Sequence, residues 1–213
     1  MNIFLKEFSE KKIIVVCRGI AEEEIVNVAT ALYDGVIRFM EVPFNQAEPS
    51  TFSSTANKIN SVKKSLNGKM HVGAGTVITM EQFEIAQNAG AEIIVSPTLE
   101  EDVIVATKKA GLISMPGCAT PSEMTKAYKL GADLIKLFPA SMVNLKVIKE
   151  ISVPLNHLPL VCFGGVSSEN IEEVLATGVT GVGMASSILD KQALKDKDYA
   201  KITALASEIT SRI

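Results

Sequence analysis

Cysteine and long apolar runs are both scarce in this 213-residue chain. Its three cysteines, Cys17, Cys118 and Cys162, are widely spaced and form no CxxC or cysteine–histidine metal motif. Isolated cysteines in odd number predict reduced thiols in a cytoplasmic protein rather than a disulfide framework. No apolar stretch approaches the roughly 20 residues that span a bilayer, so no membrane partner is expected.

An excess of positive charge is also missing. Lysine and arginine number 21 against 24 aspartate and glutamate residues, which gives a net charge of −3. The sequence therefore predicts no basic surface and no nucleic-acid partner. The first segment, Met1 to Lys12, alternates apolar and charged residues and lacks the apolar core of a signal peptide, so it predicts a short amphipathic helix.

Apolar residues are plentiful, at 47% of the chain with 21% charged, which is enough for a sizeable core. No linker or low-complexity tract interrupts them, so we expect one domain over residues 1–213.

Short β-branched runs alternate with helical stretches along most of the chain. Strands are predicted at Ile13–Cys17, Val36–Val42, Met70–Gly73, Glu92–Val95, Leu112–Met115, Leu134–Leu137, Leu160–Phe163 and Gly181–Met184. Helices are predicted near 21–33, 47–66, 79–89, 99–110, 121–130, 140–152, 168–177 and 196–211. Left-handed glycine caps are expected at Gly35, Gly90, Gly111, Gly131 and Gly178, and helix starts at Thr79, Pro121 and Ser167.

Eight strands, each followed by a helix, predict a (β/α)₈ TIM barrel with a short extra N-terminal helix. The alternative is a doubly wound open sheet, which would carry a glycine-rich phosphate turn after its first strand. The turn found there, Arg18-Gly19-Ile20, does not match GxGxxG. The barrel is therefore favoured.

Lys136 lies inside the apolar strand Leu134–Leu137, where an ammonium group is costly to bury. One interpretation is a buried stem with the charged head reaching solvent. The other is a desolvated neutral amine that attacks a carbonyl. The difference matters, because an exposed lysine is neutral in only about one part in 2,500 at pH 7.

In a barrel the active site lies at the carboxyl ends of the strands, so the residues at those ends are candidates. They are Arg18, Glu41, Thr76, Pro97, Lys136, Phe138, Phe163, Gly164, Gly165 and Ser186. Charged residues that converge from apolar strands on one end are not expected from packing alone.

The charged candidates also have structural interpretations. Glu41 suits general acid–base chemistry but could instead pair with Arg38 or Arg18. Arg18 offers a fork for a carboxylate or a partner for Glu41.

Two further features at this end could contact an anion or have only a structural role. Thr76 closes a glycine-rich turn that could face an anion or simply enter a helix. The pair Gly164-Gly165, with the loop through Ser186, is typical of barrel phosphate sites or of a tight turn. His71 and His157 are expected in a strand and in a surface loop, and neither is given a role.

Several motifs together carry a family resemblance: Glu41, GAGTV at 73–77, SP at 96–97, PG at 116–117 and IKLFP at 135–139. With them the chain resembles the class I pyruvate aldolases of the 2-dehydro-3-deoxy-phosphogluconate (KDPG) and 4-hydroxy-2-oxoglutarate (KHG) aldolase family. The match covers nearly the whole chain.

The resemblance implies a Schiff-base lyase that cleaves a 2-keto-3-deoxy-phosphosugar acid or 4-hydroxy-2-oxoglutarate to pyruvate and an aldehyde. Lys136 would form the Schiff base and Glu41 would move protons. Thr76 and Arg18 would hold the pyruvate carboxylate, while Phe138 and Pro97 would line the pocket. Gly164, Gly165 and Ser186 would meet a distal phosphate. The resemblance also implies no metal or organic cofactor, and a homotrimer.

The chain departs from the family pattern at three positions. Asn45 stands where many members carry a substrate-binding arginine, and Ala185 replaces a glycine near the phosphate loop. Phe163 stands at a position associated with the C4 configuration. The segments Glu-Val-Pro-Phe-Asn and Pro-Gly-Cys-Ala-Thr resemble the phosphogalactonate branch, so a 2-dehydro-3-deoxy-6-phosphogalactonate aldolase is the alternative within the family.

Two other classes stay open on the residues. A non-catalytic phosphosugar-binding barrel would need Lys136 protonated as an anion anchor. A phosphosugar isomerase or epimerase would want a second carboxylate or a histidine metal set at the strand ends, and the sequence offers neither.

Overall fold

The computed structural model describes residues 3–213. The first element is helix α1, Ile3–Lys11, so the predicted N-terminal helix is confirmed over that range. Met1 and Asn2, which the prediction included, lie outside the described residues.

Within the described chain, one sheet contains nine parallel strand segments. They are β1 Ile13–Val16, β2 Phe39–Pro43, β3 His71–Gly75, β4 Ile93–Val95, β5 Ile113–Met115, β6 Gly117–Cys118, β7 Ile135–Leu137, β8 Leu160–Phe163 and β9 Gly181–Met184. Their order, β5-β4-β3-β2-β1-β9-β8-β7-β6, places sequence neighbours side by side and pairs β1 with both β2 and β9.

The fifth strand extends beyond the predicted Leu112–Met115 and closes the ring in two pieces. Pro116, which has no backbone N–H, separates β5 from β6. β5 pairs with β4 and β6 pairs with β7, so this one stretch contacts both ends of the sheet. The amide of Lys136 also donates to the carbonyl of Pro116 at 3.0 Å. The predicted eight-stranded barrel is confirmed, with its fifth strand split by proline.

The other helices follow the strands around the barrel. They are α2 Ile25–Asp34, α3 Phe52–Ser65, α4 Met80–Asn88, α5 Glu101–Lys109, α6 Pro121–Lys129, α7 Leu145–Ser152, α8 Ile171–Leu175, α9 Lys191–Asp196 and α10 Tyr199–Thr210. The short helix α9 was not predicted, and α8 is shorter than expected. None of the helices in residues 3–213 has the length and apolar character that crossing a bilayer requires. A single domain over residues 1–213 stays a prediction.

The helix ends confirm most, but not all, of the predicted signals. The Thr79 hydroxyl caps α4, and Pro121 is the first residue of α6, behind a capping box formed by Thr120 and Glu123. Ser167 is not a cap, since α8 begins only after Asn170.

Gly35 is the exception among the predicted glycine caps. Its φ is −82°, and the left-handed conformation falls on Val36 instead. Position 35 lacks a side chain for a different reason: a Cβ there would overlap the side chain of Ala206 on α10. The glycine therefore lets α2 and α10 pack closely, which a local sequence pattern does not report.

Two apolar clusters make up the core. The larger lies between the sheet and the surrounding helices, and the smaller fills the barrel interior. Phe4 and Phe8 of α1 belong to the inner cluster and meet the ring of Phe39 edge-on, at 4.9 and 5.1 Å between centroids. Because Phe39 begins β2, α1 closes the amino end of the barrel. The carboxyl end is left for the polar candidates.

Candidate active site

Glu41 lies in the middle of β2, in register with Val16 on one side and Gly73 on the other. Its side chain is only 2% exposed. Among the described residues, no group donates a hydrogen bond to its Oε2 atom. Glycine at position 75 makes room for it, because a Cβ there would overlap the Glu41 carboxylate. A buried carboxylate oxygen without a partner is costly, so it points to a contact supplied by substrate or water.

Lys136 is the central residue of β7 and lies opposite Gly117 of β6. Its exposure is 7%, so its ammonium does not reach bulk solvent and that interpretation was wrong. The Nζ atom lies 4.7 Å from the centroid of the Phe138 ring and 4.5 Å from that of Phe163. Two aromatic rings therefore lie against the amine and reduce its contact with water.

The two buried charges shift each other's titration. Burial lowers the pKa of Lys136, Glu41 opposes that effect, and Arg18 adds to it, with a net decrease. Burial raises the pKa of Glu41, while Lys136 and Arg18 oppose the rise, with a net increase. Both groups are thus driven toward their neutral forms, which gives a nucleophilic amine beside a carboxyl able to exchange protons.

Arg18 and Thr76 meet across the mouth of the barrel. The Arg18 Nη2 atom donates to the Thr76 hydroxyl at 3.1 Å. Neither ion pair suggested for Glu41 forms: Arg38 donates to the carbonyls of Tyr33 and Ile37, and Arg18 donates to Thr76. Thr76 is not a helix entry either: α4 begins at Met80, and Thr76 has a left-handed φ of 57°.

The turn after β8 presents two glycines in the left-handed region, Gly164 at 86° and Gly165 at 80°. A Cβ on Gly165 would come within 2.8 Å of the Ser141 side chain. Both conformation and space therefore require glycine. Phe163, just before them, occupies the space that a side chain at Gly183 of β9 would need.

One cavity of about 370 Å³ collects these groups. All ten predicted site residues line it: Arg18, Glu41, Thr76, Pro97, Lys136, Phe138, Phe163, Gly164, Gly165 and Ser186. The structure thus brings every candidate to one place, while their individual roles stay predictions. The lining also includes Val16, Val166, Gly183, Met184 and Ala185. Ala185 is the family departure named above, whereas Val16, Val166 and Met184 are apolar residues with no chemical signal in the sequence to single them out.

The two histidines and the three cysteines do not line this cavity. His71 is in β3 at the amino end, and His157 is exposed near Tyr128. The three cysteines are buried and unpaired. Burial raises the pKa of Cys118 and of Cys162 to about 12, so these thiols are poor nucleophiles.

Comparison with known proteins identifies this arrangement. The family model described as KDPG and KHG aldolase matches residues 5–205. The chain belongs to the KDPG and KHG aldolase family. It is therefore an aldolase, and the predicted family, fold and reaction class are confirmed.

Individual members of the family show how close the similarity is. A probable 2-dehydro-3-deoxy-6-phosphogalactonate aldolase from Rhizobium meliloti is 34% identical over 180 residues, which cover 84% of this chain and 82% of that protein. A KHG/KDPG aldolase from Escherichia coli is 30% identical, with coverages of 87% and 84%. The crystal structure of KDPG aldolase from Legionella pneumophila, with pyruvate captured as a covalent carbinolamine intermediate, superposes with a TM-score of 0.85 at 28% identity, covering 95% of each chain.

Proposed function

We propose that this aldolase cleaves a 2-keto-3-deoxy-6-phosphosugar acid to pyruvate and glyceraldehyde 3-phosphate through a Schiff base on Lys136. The observation that carries the proposal is the buried Lys136 amine, enclosed by two aromatic rings in the same cavity as the Glu41 carboxyl. Such an amine is neutral far more often than an exposed lysine.

The reaction begins with attack of the neutral Nζ on the C2 ketone, which forms a C–N bond and a carbinolamine. The neutral Glu41 carboxyl donates its proton to the carbinolamine hydroxyl, so that water leaves and a protonated imine remains, which acts as an electron sink. The Glu41 carboxylate formed in this step then accepts the proton of the C4 hydroxyl, directly or through a water that it binds. The C3–C4 bond then breaks, its electrons form an enamine, and the aldehyde leaves. Protonation at C3 and hydrolysis release pyruvate and restore the amine.

Binding of the two ends of the substrate is assigned to two different sets of cavity residues. Arg18 and Thr76 present a guanidinium and a hydroxyl to the carboxylate at C1. The open turn at Gly164 and Gly165, with Ser186 in the same cavity, is proposed to receive the distal phosphate on backbone N–H groups. Pro97 and Phe138 line the same cavity and are proposed to form its apolar wall.

The C4 configuration is proposed to be that of phosphogalactonate. Phe163, at the position that the resemblance associates with the C4 configuration, places an apolar ring beside the lysine. The Rhizobium relative named above is also a probable phosphogalactonate aldolase. A second candidate substrate is 4-hydroxy-2-oxoglutarate, which is favoured by the name of the Escherichia coli relative. It would leave the glycine turn without a phosphate.

Borohydride reduction in the presence of pyruvate tests the Schiff base directly. Wild type should gain one covalent pyruvate adduct, located by peptide mass spectrometry at Lys136, and Lys136→Met should gain none while keeping its fold. The matched control is Lys146→Met, since that side chain is 82% exposed on α7. A non-catalytic barrel with a protonated anchor would give no adduct in wild type.

A substrate panel separates the remaining options. We expect kcat/KM to be highest for 2-dehydro-3-deoxy-6-phosphogalactonate, lower for its gluconate epimer, and lowest for 4-hydroxy-2-oxoglutarate. Equal values for the two epimers would contradict the assignment at C4. An isomerase or epimerase is disfavoured, because Glu41 is the only carboxylate among the described residues that line the cavity.

We further propose a homotrimer in the cytoplasm. Large apolar side chains are exposed on consecutive elements of one side of the barrel: Val105 on α5, Tyr128 on α6, and Met142 and Val153 on either side of α7. Light scattering should give three times the 22.8 kDa chain mass, and Val153→Asp should lower that value. A monomeric wild type would contradict the proposal.

A further inference from the structure

Thr76 is held in a conformation that threonine rarely adopts. Its φ of 57° lies in the left-handed region, where a β-branched side chain is a strained exception. Such a conformation persists only where neighbouring contacts impose it. Thr76 also carries the hydroxyl that receives the Arg18 hydrogen bond, so whatever holds this backbone also sets the position of the guanidinium.

Two glutamine side chains supply a contact of that kind. The Gln46 amide, in the loop after β2, donates to the Thr76 carbonyl at 2.7 Å. The Gln82 amide, on α4, donates to the Gln46 carbonyl oxygen at 2.8 Å. The backbone N–H of Ile78 then donates to the Gln82 carbonyl oxygen, also at 2.8 Å. The chain of hydrogen bonds starts and ends in the same loop, two residues apart.

The orientation of both amides is determined by the two ends of this chain. An N–H at Ile78 can only donate, so Gln82 must turn its oxygen toward it and its NH₂ toward Gln46. A carbonyl at Thr76 can only accept, so Gln46 must turn its NH₂ toward that group. Only a side chain with both a donor and an acceptor fits each position.

The two glutamines differ in burial, and this gives them different roles. Gln82 is 1% exposed and is anchored by its own backbone N–H to the Thr79 hydroxyl, at 3.3 Å. Gln46 is exposed at the rim, and its side-chain amide hydrogen-bonds, among residues 3–213, to Gln82 and Thr76 alone. Gln82 therefore acts as a fixed support, and Gln46 connects it to the substrate-facing loop.

We infer that Gln46, supported by Gln82, is a positioning residue that holds Thr76 and, through it, Arg18 ready for the substrate carboxylate. This inference rests on the proposed function, in which Thr76 and Arg18 bind that carboxylate. Gln46 itself touches no reacting atom, so its effect falls on pyruvate binding rather than on proton transfer.

The test measures the pyruvate concentration that gives half-maximal borohydride trapping, which does not depend on the aldehyde partner. Gln46→Met keeps the side-chain length but removes the donor and the acceptor. We expect half-saturation to rise roughly three- to tenfold, the effect of losing one such hydrogen bond, while kcat at saturating substrate stays within twofold. Gln87→Ala, an exposed glutamine on α4, serves as control and should change neither value.

A double variant tests whether the effect passes through Thr76. Thr76→Val removes the hydroxyl that Arg18 uses, so adding Gln46→Met to it should raise half-saturation by less than twofold. In a crystal structure of Gln46→Met, Thr76 should leave the left-handed region or lose its contact with Arg18. An unchanged Thr76–Arg18 geometry, an unchanged half-saturation, or full additivity with Thr76→Val would each overturn the inference. A wild type that is not trapped at all would instead contradict the proposed function.

Discussion

The carboxylate of Glu41 occupies the space that a side chain at position 75 would need. β2 and β3 are adjacent and parallel, so the glycine of one strand provides the room for the acid of the next. The acid stays buried and without a donor at Oε2 because that space is empty of side chain. The position of the proposed catalytic carboxyl of Glu41 therefore depends on Gly75, which has no side chain.

Replacing Glu41 by glutamine tests its proposed proton transfer. Glu41→Gln keeps the shape but removes the exchangeable proton, and kcat should fall by roughly 10²- to 10⁴-fold, the range for positioned acid–base groups. Steady-state kinetics with the best substrate of the panel would measure this. A rate within twofold of wild type would remove Glu41 from that role.

Gly75→Ala should displace the same carboxylate without removing it. The new methyl group would meet the end of a flexible side chain rather than backbone, so we expect the barrel to fold and kcat to fall at least tenfold. The effect should nearly vanish in a Glu41→Gln background, because both changes act on one group. Independent, additive losses would show that position 75 acts in another way.

The charge on Arg18 should shift the pH at which the imine forms. Burial is the main cause of the lowered pKa of Lys136, and Arg18 lowers it further, so Arg18→Met should raise that pKa. Since the neutral amine attacks, borohydride trapping at saturating pyruvate should then require higher pH than in wild type.

Glu41→Gln supplies the opposite control for this pH shift, because Glu41 raises the Lys136 pKa and its removal should move trapping to lower pH. Profiles that shift in the same direction for both variants would contradict the electrostatic account.

His71 should make stability pH-dependent at the other end of the barrel. Its Nδ1 lies 2.6 Å from Glu92 and its Nε2 lies 3.2 Å from Glu7 of α1, while Lys63 also pairs with Glu92. Burial alone would lower the His71 pKa, but the bonds to Glu92 and Glu7 outweigh it and the pKa is raised from 6.5. Burial alone would raise the Glu92 pKa, but His71 and Lys63 outweigh it and the pKa is lowered from 4.5.

The directions of these two pKa shifts define a pH range in which both groups stabilise the fold. A raised histidine pKa stabilises the fold fully below pH 6.5, and this is lost as pH rises through the folded value. A lowered glutamate pKa stabilises the fold above pH 4.5, and this is lost as pH falls. His71→Gln should therefore cost about 1 kcal/mol, or roughly 2–4 °C in Tm, between these values and less near pH 8.5. Calorimetry between pH 4.5 and 6.5 and again near pH 8.5 would check this, with the exposed His157→Gln as control. An equal loss of Tm in that range and at pH 8.5 would disprove it.

The sequence predicted the parts of the fold that repeat locally. Apolar runs, cap residues and most helix-ending glycines located eight strands and their helices within a few residues. The apolar sequence around Lys136 was sufficient to identify a buried lysine, because the cost of burying an ammonium is a property of its immediate neighbours. The predictions for Gly35 and Ser167 were wrong, because the packing of α2 on α10 and the path into α8 depend on residues far along the chain or on turn geometry.

By itself, then, the amino-acid sequence determined the barrel, the identity of ten cavity residues and the reaction class. Only the tertiary structure decided that Glu41 pairs with neither arginine, that the fifth strand divides at Pro116, and that Thr76 is held left-handed beside Gln46 and Gln82. The physical reason is range: periodicity and caps arise from contacts within a few residues, whereas these features need groups that lie about 20 to 60 positions apart to meet when the sheet closes.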